Sequence, residues 1–417
     1  MAHVLYDPAR HEPLSNLAWD ETRARETIER IVHDTHARFS ADHGWPLHPR
    51  DAEAGDQSPA TPLYHGACGV IWALDYLRRC GACSLHGDYT PHIAALRERN
   101  MRWLTSFESD GMAPSYLMGE TGFALLEHAL RPSPAVAERL AQLIDSNLDN
   151  PTRELMWGAP GTMLAALFLH RENAEPRWAT LFRRTARQLR SQLEWSERYE
   201  CHYWTQDMYG TRSSYLDAVH GFVATALPLI AGRDLLDDDE WLAWEATIAR
   251  TVRASATFEE GRVNWRVWLY AEPRMPMLMQ FCHGAPGFVI CLAGMPGNAL
   301  DDLLIAAGET TWEAGPLRKG SNLCHGTAGN GYAFLKLHGR TGEARWLERA
   351  RAFAMHAIAQ MEQEERRVGR QRYSLWTGDP GLAIYLWDCI RGSAAFPTLD
   401  VFLHDSLNAR SKGACAR

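Results

Sequence analysis

Apolar residues along this chain fall into two kinds of run that alternate from one end to the other. The first kind is short and nearly free of charge: VIWALDYL from Val70, FALLEHAL from Phe123, TMLAALFLH from Thr162, FVATALPLI from Phe222, FVICLAG from Phe288, NGYAFLKL from Asn330 and LAIYLWDCI from Leu382. Runs apolar on every side predict helices buried all round. The second kind is longer and charged on one face, as in ARETIERIVHDTHARF from Ala24, WATLFRRTARQLRSQL from Trp178 and ARWLERARAFAMHAIAQM from Ala344. Apolar positions recurring at three- and four-residue steps predict helices with one wet face.

A Gly-x-x-Gly turn opens each short run: Gly66–Gly69, Gly119–Gly122, Gly158–Gly161, Gly221–Ala224 (degenerate at its last position), Gly284–Gly287, Gly326–Gly329 and Gly378–Gly381, here numbered turns one to seven. Successive first glycines stand 53, 39, 63, 63, 42 and 52 residues apart, enough for two helices per unit with loops absorbing the difference. No single hairpin of such helices buries its apolar face alone, so the units must stack. The fold expected is all-α, an (α/α)7 toroid of seven outer and seven inner helices. It forms one domain over residues 1–417, with a loop at 43–62 and a flexible tail at 411–417. A first glycine is expected where the chain needs positive φ and close backbone approach.

Composition narrows the function. Of 417 residues 46% are hydrophobic and 23% charged, an ordinary globular balance, and a formal charge of −8 speaks against a nucleic-acid or anionic-membrane partner. No apolar stretch is long enough for a membrane span, and the first residues lack a signal-peptide pattern, so a cytoplasmic location is expected. Nine cysteines, an odd number dispersed over a long chain, predict reduced thiols. Cys80-Gly-Ala-Cys83 matches half of a zinc knuckle, but no second pair completes it, and the two read as helix-end cysteines.

Chemistry gathers at the residues just before the glycines. Histidine holds the adjacent place in four turns (His65, His220, His283, His325), and cysteine the one before it in two (Cys282, Cys324). A closed ring puts turns five and six side by side, so Cys282, Cys324 and His325 converge. Helix N-termini favour anions and should lower both thiols towards thiolate. Two thiolates and an imidazole suit Zn2+ and leave a fourth tetrahedral position open, the pattern of a catalytic site. A substrate thiol there would lose its proton and keep much of its nucleophilicity.

CHGAPG at Cys282, KGSNLCHGTAGNGYAFL at Lys319, YLDAVHG at Tyr215 and the seven turns resemble the lanthionine synthetase C-like family from Gly66 to about Ile390. The resemblance implies the toroid, zinc on Cys282, Cys324 and His325, and conjugate addition of a thiol to dehydroalanine or dehydrobutyrine in a peptide or protein. It also implies a proton-transferring histidine in the fourth turn, here His220. The chemistry needs one, because attack on the β-carbon leaves an enolate to be protonated at the α-carbon. His283 is a second candidate for proton relay or enolate stabilisation, at a place where peptide cyclases commonly carry tyrosine. The CHG form and Lys319, preceded by Arg318, look closer to the glutathione-adding eukaryotic relatives, and the basic pair suits a substrate carboxylate. Among Arg366, Arg367, Arg370 and Arg372, one is expected to face the site. Glu120 is the candidate acid in turn two. Two alternatives stand beside glutathione addition: a non-catalytic, zinc-containing binder of glutathione or peptide, and a cyclase closing intramolecular thioether rings. Carbohydrate chemistry, hosted by other (α/α) toroids, lacks its carboxylate pair at the turns.

Overall fold

A computed structural model describes residues 5–52, 58–85, 87–106, 112–272 and 277–403. Among the described residues seven outer helices, α1 (Glu21–Ala37), α3 (Ile93–Thr105), α5 (Pro134–Ser146), α7 (Pro176–Ser191), α9 (Asp238–Ala254), α11 (Asp301–Ala314) and α13 (Ala344–Val368), alternate with seven inner ones. The inner helices are α2 (Ala67–Arg79), α4 (Glu120–Leu130), α6 (Ala159–Asn173), α8 (Phe222–Ala231), α10 (Ala285–Leu292), α12 (Thr327–Thr341) and α14 (Asp379–Arg391). Each inner helix packs on the next, α14 closes back on α2, and α1 lies against α14, so the expected toroid is present. The inner helices bury nearly every residue, whereas outer helices bury one stripe, such as Trp178, Phe182, Ala186 and Leu189 of α7.

The first glycine of every turn is the residue immediately before its inner helix. Close approach, rather than positive φ, is the common cause. Only Gly284 has positive φ (+113°), where a Cβ would also stand 2.1 Å from the Leu278 carbonyl oxygen. At the fourth position a Cβ on Gly329 would come 1.8 Å from the Leu323 oxygen, which no real side chain tolerates.

Connections from outer to inner helix all lie at the end of the ring where the inner helices begin. Two carry structure that helical periodicity does not announce: hairpins β1 (Glu194–Ser196) with β2 (Cys201–Tyr203), β3 (Gln206–Met208) with β4 (Thr211–Ser213), and β5 (Ala256–Glu259) with β6 (Arg262–Trp265). The loop at 43–62 is without helix where described, and residues 53–57 and 411–417 lie outside the described residues.

The ring axis is filled by the chain after α14. Phe396 stacks on Phe281 (centroids 4.7 Å apart) and packs on Tyr332 and Trp376. The Thr398 carbonyl accepts from Tyr116 Oη at 2.6 Å, and that of Phe402 from Trp72 Nε1 at 3.1 Å. Lys336 and Asp400 form a largely buried ion pair at 2.7 Å. This plug supports turns five and seven from below.

Candidate metal centre

A belt of backbone hydrogen bonds joins neighbouring turns at or beside the residue two before the glycine. Tyr64 N donates to Leu117 O, Leu117 N to Met156 O, Leu155 N to Val219 O, Cys282 N to Cys324 O, Cys324 N to Trp376 O and Trp376 N to Tyr64 O, at 2.8–3.2 Å. Seven equivalent slots thus face the axis, filled by Tyr64, Leu117, Met156, Val219, Cys282, Cys324 and Trp376. Turns four and five are bridged by side chains, His283 Nδ1 lying 2.8 Å from Asp217 Oδ2.

Cys282 and Cys324 occupy adjacent slots, and with His325 they place three ligand atoms within 4.8 Å of one another. In a tetrahedral zinc site, sulfurs at 2.3 Å and a nitrogen at 2.0–2.1 Å stand roughly 3.5–3.8 Å apart, so the donor set fits the ion after a small contraction. The sulfurs are almost fully buried, 6% and 3% exposed, while His325 is half-buried on the open side. The expectation that both thiols are lowered holds for one. The hydrogen bond from Cys282, against the opposing effect of burial, and then His325 and Tyr64 hold Cys324 well below the ordinary thiol value. Burial, then the neighbouring Cys324, pushes Cys282 well above it. Two sulfurs this close cannot both ionise without a cation between them.

The residue four before each glycine organises the turn. Glu154 accepts from the backbone N–H groups of Met156 (2.9 Å) and Trp157 (2.5 Å), Asp217 from those of Val219 (3.0 Å) and His220 (2.7 Å), and Asn322 from that of His325 (3.0 Å). The two acids also reach forward one turn: Glu154 Oε2 lies 2.8 Å from His220 Nδ1, as Asp217 Oδ2 does from His283 Nδ1. Both carboxylates are fully buried and each imidazole is about one-fifth exposed. The ring nitrogen left to each histidine is therefore its Nε2. Burial opposes charge on His220, but the hydrogen bond and charge of Glu154, with Asp217 and Cys324, hold its pKa up at about 9. Asp217 is kept below the usual carboxylate range against its own burial, chiefly by His283. Turns three and four thus do carry carboxylates, but both are committed to histidines.

Glu120 does not belong to this group: it pairs with Arg139 of α5 through both oxygens, at 3.0 and 2.6 Å. The acid partner of His220 is Glu154, which the sequence reading missed by searching within the turns. His65 lies against Tyr64 and Trp103 and is held neutral by burial, at about 4.

Arg318 and Lys319 are exposed on the rim of a cleft of about 260 Å3 that also takes in Ser321, Asn322 and Thr377 of turns six and seven. Arg367, Arg370 and Arg372 line it too. Arg372 is neutralised by Asp51, and Arg367 is paired with Glu364 at 2.6 Å. Arg370 donates through Nη2 to the Leu47 carbonyl at 2.6 Å, its buried Nε without a partner among the described residues. Of the three arginines that line the cleft, Arg370 is the one without a carboxylate partner among the described residues.

Among the described residues no helix is long and apolar enough to cross a membrane. The lanthionine synthetase C-like protein family matches residues 57–401. Glutathione S-transferase LANCL1 of Danio rerio is 34% identical over 131 residues, 30% of this chain and 32% of that protein. LanC-like protein GCL1 of Arabidopsis thaliana is 36% identical over 121 residues, 26% of this chain and 27% of that protein. The aligned stretches therefore span about a third or less of these relatives. Among solved structures, nisin cyclase superposes with a TM-score of 0.54 at 13% identity, covering 89% of this chain and 100% of its own, a likeness of fold.

Proposed function

Because the chain belongs to the lanthionine synthetase C-like family, we propose that it is a zinc-dependent enzyme that adds a thiol, glutathione or a peptide cysteine, to dehydroalanine or dehydrobutyrine residues. Cys282, Cys324 and His325 would hold the ion, which when bound lowers the pKa of a thiol at its open position and keeps it as thiolate. The observation that carries the reading is the pairing of this trio with an imidazole on the same rim, tied to a buried carboxylate and protonated at neutral pH.

The thiol's proton would leave to solvent as the thiolate forms, and solvent would return one to His220 after the addition, so the protons balance. The sulfur–carbon bond forms at the β-carbon, the alkene pair moves onto the α-carbon and its carbonyl as an enolate, and His220 Nε2–H delivers the proton to the α-carbon. Glu154 keeps that nitrogen aimed outward by holding Nδ1. His283, held the same way by Asp217, serves as a second donor towards the enolate oxygen. Arg318, Lys319 and Arg370 offer positive charge for the carboxylates of a separate, anionic thiol, which favours glutathione over a cysteine already tethered in the acceptor.

A dehydroalanine peptide incubated with glutathione tests this. The purified protein should contain about one zinc, Cys324→Ala should lose it, and the peptide should gain the mass of one glutathione only with the metal-loaded protein. A rate no higher than the uncatalysed addition leaves a binder; ring formation in a peptide carrying its own cysteine, with no use of glutathione, makes it a cyclase.

A further inference from the structure

The residue four before the glycine reaches forward in a series. Glu154 of turn three holds His220 of turn four, and Asp217 of turn four holds His283 of turn five. Next in the series is Gln280 of turn five, and the next histidine is His325 of turn six. Gln280 is 4% exposed, and its Nε2 donates to Cys282 Sγ at 2.9 Å. Its Oε1 is buried with no partner among the described residues. On the other sulfur, the Tyr64 hydroxyl donates to Cys324 Sγ at 2.8 Å from the ring slot that Cys282 and Cys324 fill in their own turns.

We propose that Gln280 and Tyr64 are the positioning residues of the metal centre: Gln280 clamps Cys282 through its amide N–H and His325 through its amide oxygen, and Tyr64 clamps Cys324. The inference rests on the reading of Cys282, Cys324 and His325 as a zinc site. Metal-bound imidazoles as a rule donate their second ring N–H to an oxygen, and the unpartnered Oε1 is the acceptor the series supplies for His325. The change from carboxylate to amide has a chemical reason. At turns three and four the residue serves only N–H donors, which a carboxylate suits. At turn five it also touches a thiolate, which a carboxylate would repel and an amide N–H stabilises.

The consequence for the reaction is selectivity among sulfurs. Cys282 and Cys324 are nucleophiles close to an electrophilic substrate, and a hydrogen bond to each draws off electron density. A substrate thiolate without such a donor is then the most reactive sulfur present.

Zinc affinity, measured by competition with a chromogenic chelator, together with the sulfur-to-metal charge-transfer band of the cobalt(II) protein, tests the assignment without reference to turnover. Gln280→Glu, nearly the same in shape, should bind zinc 10–100-fold more weakly. Tyr64→Phe should weaken it about tenfold and shift the cobalt band. Gln280→Met, of similar length with neither hydrogen bond, replaces the carboxylate variant if that one does not fold, as judged by circular dichroism. Folded variants with affinities within about twofold of wild type and unmoved bands overturn the proposal. A wild type that takes up neither metal refutes the zinc reading itself, and this inference falls with it.

Discussion

Replacing Glu154 by Gln puts the proposed proton donor to a quantitative test. The substitution keeps the shape and one carbonyl oxygen for the backbone groups of turn three, but removes the charge beside His220 Nδ1. His220 sits at about 9 because that charge and hydrogen bond outweigh burial. Without them the imidazole returns to its ordinary value near 6.5 or below, a change of roughly 3 kcal/mol at 1.36 kcal/mol per pH unit. At pH 8 a group at about 9 is roughly 90% protonated and one at 6.5 roughly 3%, so turnover by the variant should fall about 30-fold there. At pH 6 a variant imidazole near 6.5 is still mostly protonated and the loss should shrink to less than about twofold, and for a lower value it stays many times smaller than the loss at pH 8.

Rates with a dehydroalanine peptide and saturating glutathione across pH 5.5–9.5 read both limbs. The alkaline limb of the wild type belongs near 9 and that of the variant near 6.5 or lower. Stability carries the same sign: a histidine raised on folding stabilises the native state below about 6.5, and this is lost as pH rises through about 9. The wild type should therefore lose stability over that window and Glu154→Gln should not. A variant slowed equally at pH 6 and pH 8 refutes His220 as a donor tuned by Glu154.

Two other perturbations bear on the frame. Phe396→Ala removes the ring stacked on Phe281 and should cost about 3–5 kcal/mol, the range for a fully buried Phe, with zinc retention weakened because turn five rests on it; denaturant melts within about 1 kcal/mol of wild type exclude the plug as a support. Asp388, fully buried on α14 and taking the Tyr332 hydroxyl at 2.7 Å, is pushed by burial to about 7. Its neutral form stabilises the fold at pH 4 and that contribution is lost as pH rises to 7, on the order of 4 kcal/mol in all; Asp388→Asn should flatten the curve and be the more stable protein at pH 8, and parallel wild-type and variant curves refute this.

How much of this was legible in the sequence depends on whether the same physical demand recurs as the same letter. The first glycines are legible because crowding at each turn excludes a Cβ, so the demand shows as Gly seven times. Cys282, Cys324 and His325 follow from counting back from those glycines. The residue four before the glycine meets an equally regular demand at several turns, a cap for free N–H groups, yet glutamate, aspartate and asparagine all meet it. No letter repeats there, and Glu154, Asp217 and Gln280 stay hidden while the in-turn Glu120 attracts notice. The hairpins hide for a related reason: Tyr209-Gly210 and Glu260-Gly261 take positive φ at both turn residues, a type I′ signature held in two residues between three- or four-residue strands. The plug after Arg391 carries no glycine turn at all.

That difference also explains how a repeating frame holds a site in one place. The belt of backbone bonds joins the turns at or beside their axis-facing slots, with side chains bridging turns four and five, and Leu117, Met156, Val219 and Trp376 fill theirs with apolar packing. Chemistry appears only where a slot departs from that pattern, at Cys282, Cys324 and Tyr64, and where the capping residue has a second polar atom left to reach the next turn. Glu154 and Asp217 do so in consecutive turns, and the unpartnered oxygen of Gln280 is the one proposed to continue the series in the direction of the chain. The site can therefore be shifted in strength by substitutions at the caps, whose side chains act on the turns, while the ring itself is closed by contacts between inner helices.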